Sequence, residues 1–416
     1  MDNILNVLDK VIYWTIILIP FSISIAPAPA NILAGILIVA FLTKKLLKKE
    51  YFFVKTPVNI PLFFFFLISC VSVINSIDYR DSLKGGVLRL LWYILVFFCI
   101  VEELKDRHHI NRIIFFIGLG VVLSTIDGIW QITTGRDFIR GYFPVVNIGL
   151  ARATASFKDP NVLGIYLSAF APVLFGLTLY YLKNKKPWLI PVSVLALTGI
   201  VLTYSRPTLL AIYVSLFFLG IAMKNKSVVI TLAILLLISP FILPKSVKDW
   251  AKEVGYNPLR FMCNDDRLAV YRNTLNMIKD HPFIGVGANT YMKNYKKYKE
   301  PREYRDVVTL DYMYAHNIYL HMAGEIGLIG LGIFLWLVYK LFHQAGSIYS
   351  FMKDPYLKTL ALLFMASLMA FLVNGLTESS LYYSRVGLIF WYISALLMSL
   401  ENFIHTPISH KEIQAA

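Results

Sequence analysis

Apolar runs of about 20 residues, each long enough to cross a bilayer, recur along most of the chain between short polar stretches. Their spacing predicts twelve helical spans, at roughly 10–28, 30–47, 58–76, 86–103, 110–130, 161–182, 187–204, 207–223, 227–243, 317–342, 357–376 and 385–403. The runs are too long for barrel strands and do not alternate, so the expected fold is all-α and polytopic. The first run, from about Val11 to Ala28, follows no basic segment and leads directly into the second, so it reads as a retained helix and not as a cleaved signal. The long polar stretch, about 244–315, separates the ninth and tenth spans. It holds Asp265-Asp266-Arg267, a predicted helix over Leu268–Asp280, the turn from His281 to Gly287, and a Tyr- and Lys-rich run from Tyr291 to Tyr304. No core of its own is evident there. It is expected to lie as a lid over the outer face of a single membrane domain covering residues 1–416. The tail after Asn402 reads as short and loosely ordered.

Composition agrees with the pattern. Only 16% of the 416 residues are charged and 57% are hydrophobic, against roughly 25% charged in soluble domains. The net charge of +15 speaks to topology and anionic headgroups. No basic segment is interleaved with aromatics, so nucleic acid is not an expected partner. With the N-terminus in the cytoplasm, the short inner loops hold mostly lysine, as at Lys44, Lys45, Lys48, Lys49, Lys183, Lys185 and Lys186. The short outer loops hold mostly arginine, as at Arg80, Arg136, Arg140, Arg152, Arg206 and Arg385. That bias places both termini inside, and outer arginines suit bidentate recognition of phosphate or carboxylate. Cys70, Cys99 and Cys263 have no metal-ligand spacing and predict no disulfide.

Four places can carry chemistry. His316-Asn317 opens the tenth span, with Gly327 and Gly330 below it. On one continuous helix Leu320, Ala323, Gly327 and Gly330 share a stripe with His316, and the glycines admit a neighbouring helix. Glu325 then points to the opposite side and is a poor candidate to orient the ring. The positive end of the helix dipole disfavours imidazolium at that position, and a neutral imidazole accepts a proton. Arg206 sits in the turn Ser205-Arg206-Pro207 between two spans, where it must snorkel or pair with an anion. Arg152 and Lys158 precede Asp159-Pro160-Asn161, in which Asp159 and Asn161 are most simply caps. Arg267, followed by Arg272, offers a phosphate clamp. The adjacent Asp265 and Asp266 lack further ligands, so no metal is expected. Glu325 and Glu378 are expensive near a span unless paired. The spans starting near Asn161, Pro207 and Asn317 all run inward, and their N-termini favour a dense anion at the outer face.

These residues resemble the O-antigen ligase and polymerase superfamily. His316-Asn317, nine residues, Gly327, two residues and Gly330 are similar to the ligase pattern. Arg206 with Leu210, and the segment from Asp266-Arg267 through Asp280-His281-Pro282 to Gly285-Val286-Gly287, resemble two further family motifs. The resemblance implies a GT-C-like glycosyltransferase of the bacterial inner membrane, acting on its periplasmic face without metal or other cofactor and with inversion. The donor it implies is an undecaprenyl-diphosphate-linked glycan. The acceptor is a sugar hydroxyl of lipid A–core for a ligase, or a second lipid-linked glycan for a polymerase, with the ligase favoured. Carried over, His316 is the general base, Arg206 and Arg267 hold the diphosphate, and Arg152 is a weaker addition. Asn317, Asn161 and Arg272 are supporting candidates. A lipid-linked-glycan transporter or flippase is the competing class. No repeated halves are evident, and the polar groups cluster at one face instead of mid-depth.

Overall fold

The structure is a computed structural model that describes residues 2–147, 149–183, 185–299 and 310–404. Helices are α1 (Asp2–Ile25), α2 (Pro27–Lys48), α3 (Asn59–Ser72), α4 (Tyr79–Asp81), α5 (Arg89–Glu103), α6 (Arg107–Thr134), α7 (Pro160–Lys183), α8 (Ile190–Leu202), α9 (Arg206–Ala222) and α10 (Lys226–Ile242). They continue as α11 (Lys245–Glu253), α12 (Pro258–Met262), α13 (Asp265–Asp280), α14 (Tyr291–Tyr298), α15 (Ile318–Phe351), α16 (Pro355–Asn374) and α17 (Ser384–Ser399). A π-helical stretch, Ser82–Leu88, runs α4 into α5. Two short antiparallel strands, β1 (Val145–Asn147) and β2 (Leu150–Arg152), pair Val145 with Arg152. The chain is an all-α multi-pass membrane protein. Eight helices among the described residues are long and apolar enough to span a bilayer, and four shorter apolar helices accompany them. A helix occupies each of the twelve segments where one is expected.

Local chemistry sets the boundaries. Pro27 at the first position of α2 cannot continue α1 and starts a new helix. Asp159 accepts from the amides of Asn161 (2.7 Å) and Val162 (3.2 Å) at the start of α7, so it is a cap. The Ser205-Arg206-Pro207 turn separates α8 from α9, with Tyr204 in the left-handed region at φ 45°. Asn264 caps α13, which begins at Asp265, one turn earlier than the pattern predicts. Helices α7, α16 and α17 form the buried centre, while most side chains of α10 face outward.

The tenth span departs from expectation. Helix α15 is not continuous, because Gly327 adopts φ 74°, ψ 177°. The glycines therefore do not form one packing stripe below His316. The turn after α13 inserts into the break instead. The amides of Val286 and Gly287 donate to the carbonyls of Gly324 and Glu325 (both 2.9 Å), and Leu328 N–H donates to Pro282 O (2.8 Å). Backbone freed by the break is thereby satisfied, as any irregularity at membrane depth requires. A Cβ on Gly327 would lie 2.0 Å from Phe283 O, and one on Gly285 2.3 Å from the Glu325 carbonyl carbon. Both positions also have φ near +70°. The two glycines are needed where backbone meets backbone.

The polar stretch carries a small apolar cluster after all, formed by Val270, Met277, Val286, Tyr291, Tyr295 and Ala315. Part of the Tyr- and Lys-rich run, from residue 300, and the tail from residue 405 lie outside the described residues.

The two ends of the bundle differ. At the end opposite the polar stretch, Lys44 pairs with Asp9 (2.7 Å) and Glu103 (2.6 Å), Lys45 pairs with Glu102, and Arg107 pairs with Asp354 (2.8 Å). At the near end, α7, α9 and α15 all start beside the C-terminus of α16. Thr208 approaches Asn374 Oδ1 at 3.4 Å, Asn374 Nδ2 donates to Ser168 (2.6 Å), and Ile318 N–H donates to Gly375 O (2.8 Å).

Candidate active site

His316 precedes its helix in the left-handed region, φ 48°, so its ring leaves the chain ahead of the cap. Asn317 is that cap, accepting from the amides of Tyr319 and Leu320 at 2.9 Å each. Its Nδ2 donates to Leu376 O at 2.8 Å. Tyr271, one helical turn beyond Arg267 on α13, donates to His316 O at 2.9 Å. The backbone around the imidazole is thus tied both to α13 and to the strap Gly375–Tyr383 that joins α16 to α17.

The ring meets Glu378 of that strap. Nδ1 stands 3.5 Å from Glu378 Oε2, and the pair is not aligned as a hydrogen bond. The histidine side chain is 24% exposed and the carboxylate 2%. Arg267 donates to Glu378 Oε1, and Tyr383 donates to Oε2 at 3.3 Å. Burial by itself would push the Glu378 carboxyl upward. The Arg267 guanidinium, with His316, overrides it and holds the group at about 2. Burial likewise works against the Arg267 charge, and Glu378 outweighs it and raises the group above its ordinary value.

Two more arginines stand close enough to feel this pair. Arg206, the first residue of α9, donates to Phe261 O, and its guanidinium lies over the Trp250 ring, 4.3 Å from the centroid. It is repelled by Arg267 and Arg152. Arg152 donates from Nε to Thr203 O and from a terminal nitrogen to Asn161 Oδ1, both at 2.8 Å. Asn161 is therefore not a cap but the arginine's partner. Burial lowers the Arg152 group, which Asp159 and Glu378 stabilise and Arg267 opposes. Three guanidiniums from three separate segments thus share this end of the bundle, and the buried Glu378 charge is spent chiefly on one of them. A polyanion is attracted to such a place.

The other candidates divide. Arg272 is exposed on α13. Asp265 is engaged by Arg260 (3.0 Å to Oδ1), and Asp266 accepts from Asn264 at 3.0 Å. Each aspartate of the pair is thus engaged by a neighbouring side chain. Glu325 serves a different histidine, His321, at 3.3 Å. Arg385 is not an outer-loop arginine facing solvent. It is buried, donating to Ile23 O (2.8 Å), Ser24 O (2.9 Å), Ser156 O (2.5 Å) and Ser156 Oγ (2.7 Å), with the Phe157 ring 3.5 Å from its guanidinium.

Sequence reasoning did not assign Glu378, Tyr271, Tyr383 or His321 a place beside these residues. The spacing of Arg267 and Tyr271, four apart on a helix, was the available signal for Tyr271. Nothing local marks Glu378 as the partner of His316.

No curated protein matches the chain. Residues 191–335 match the family model described as O-antigen ligase, a segment running from α8 into α15 that contains Arg206, Arg267 and His316, while Arg152 and Glu378 lie outside it. Over that segment the chain is similar to the O-antigen ligase family.

Proposed function

We propose that this membrane protein moves a glycan from undecaprenyl diphosphate to a sugar hydroxyl of lipid A–core, with inversion and without metal. The reading places it in a bacterial inner membrane, with both termini cytoplasmic and the 244–315 segment as a periplasmic lid. The observation that carries it is the His316–Glu378–Arg267 group, with Arg206 and Arg152 close by.

The chemistry follows from those atoms. The Glu378 carboxylate, 3.5 Å from Nδ1, favours the tautomer that carries its proton on Nδ1 and leaves Nε2 to accept one. Nε2 takes the proton of the acceptor hydroxyl as its oxygen attacks the anomeric carbon. The bond from that carbon to the diphosphate oxygen breaks, and its electron pair leaves with the diphosphate. Negative charge grows on the leaving group, where Arg206 and Arg267 gain most. Arg206 donates to a main-chain carbonyl and lies on an aromatic face, so a phosphate oxygen can replace a neutral partner. Glu378 balances the imidazolium that forms. Arg152 and Asn161 extend the basic wall.

The test is transfer by purified protein from a synthetic undecaprenyl-diphosphate glycan, offered either rough lipopolysaccharide or a second lipid-linked unit. Product on lipopolysaccharide supports the ligase. Chain growth on the lipid-linked unit supports the polymerase alternative. Transport without product favours a flippase. His316→Ala is expected to abolish transfer in membranes where the protein still folds, and retained transfer would remove the ring as base.

A further inference from the structure

The strap between α16 and α17 faces two histidines in turn. Glu378 points to His316 and Arg267. Ser379, the next residue, points the other way, with Oγ 3.1 Å from Nδ1 of His321. Tyr382 then lays its ring on the same imidazole, 3.6 Å between centroids and 4° between planes. Tyr383 returns to Glu378 at 3.3 Å.

His321 is itself held. Its Nε2 lies 3.3 Å from Glu325 Oε1, and that oxygen also accepts from the amide of Tyr291 at 3.2 Å. The carboxylate accepts from Nε2–H, and Nδ1 then accepts from the Ser379 hydroxyl. His321, Glu325 and Ser379 are all buried. The Glu325 main-chain carbonyl is in turn fixed by Gly287 from the turn inserted at the α15 break. A rigid element therefore grips one side of the strap, and the carboxylate facing the exposed histidine projects from the other.

We propose that His321 is a positioning residue. Held by Glu325, it pins Ser379 and Tyr382 and thereby sets the place of Glu378 against the His316 ring. The catalytic consequence rests on the transferase reading above, whereas the pinning does not. A misplacement of about 1 Å far from the chemistry can cost roughly a hundredfold in rate, so a strap one hydrogen bond looser has a measurable effect.

The experiment has two readouts. Hydrogen exchange over residues 375–383 reads the pinning directly. Ser379→Ala is expected to lose protection there while the helices keep theirs, and Ser379→Thr, which retains the hydroxyl, is expected to restore it. Unchanged protection in Ser379→Ala would overturn the proposal. His321→Gln serves as the second variant should Ser379→Ala fail to fold. Transfer kinetics read the consequence. Ser379→Ala is expected to lower kcat about tenfold with donor KM unchanged, and to cost nothing further in a Glu378→Gln background. Multiplying losses would mean that His321 does not act through Glu378. If the purified parent protein transfers no glycan to either acceptor, the transferase reading fails, and exchange alone still decides the pinning; if His316→Ala leaves transfer intact, only the ring's role as base falls.

Discussion

At the two ends of the bundle the chain places its charges by different rules. At the end bearing Lys44, Lys45 and Arg107, each cation has a carboxylate of its own, and Lys44 has two. Those charges cancel where they stand and tie α1, α2, α5, α6 and the start of α16 together. At the other end Arg152, Arg206 and Arg267 gather, and Glu378 is bound closely to Arg267. Arg206 makes do with a carbonyl and an aromatic ring. A structural arginine can be recognised by contrast at Arg385, whose guanidinium is surrounded by carbonyl and hydroxyl oxygens. Under the proposed function, paired charges mark a joint, and guanidiniums in excess of their carboxylates mark a place for an anion.

The sharpest way to break this comparison is at Arg206. Arg206→Lys keeps the charge but loses the planar fork and its stacking on Trp250. If the cluster holds a diphosphate, transfer is expected to fall about a hundredfold, as when one preorganised donor is removed, with the fold intact. Equal activity with lysine, measured as kcat/KM for the lipid-linked donor, would show that charge alone suffices there.

A smaller effect appears in stability against pH. Glu378 is held at about 2 in the folded protein, below the ordinary glutamate range. A carboxyl depressed on folding stabilises the native state above its unfolded value and loses that contribution as pH falls through the folded one. The melting temperature is therefore expected to fall in the window from about 4.5 down to about 2, and Glu378→Gln is expected to lack this part of the loss. A variant with the same acid profile as the parent would mean that the Arg267–Glu378 pair contributes nothing to it.

Much of this architecture was legible in the chain, for physical reasons. Apolar length marks a helix without help from its neighbours, so every expected segment holds one. Caps are local, so Asp159 could be read directly. What stayed hidden depends on partners distant in sequence. Glu378 reaches His316 only because α15 begins beside the end of α16. Gly327 suggested helix packing, since glycine supports both close packing and a break. Only the inserted turn from α13 decides between them. His321 looked like one more residue of an apolar helix. The opposite-side position of Glu325, which argues against its orienting His316, is the reason it meets His321 one turn before it.

The smallest expected effect lies at the end that bears Lys44. Lys44 touches Asp9 and Glu103 and is far from His316 along the same bundle. Lys44→Met removes one cation from a partly exposed ion-pair group, a change worth about 1 kcal/mol. The expected result is a melting temperature lowered by a few degrees, with donor KM and transfer rate unchanged. A matched loss of transfer would mean that charge neutralisation here reaches the opposite end, and that joint and site are not separable. An unchanged rate, set beside the collapse expected for Arg206→Lys, would show that position in the bundle, and not charge as such, decides which cations serve the anion.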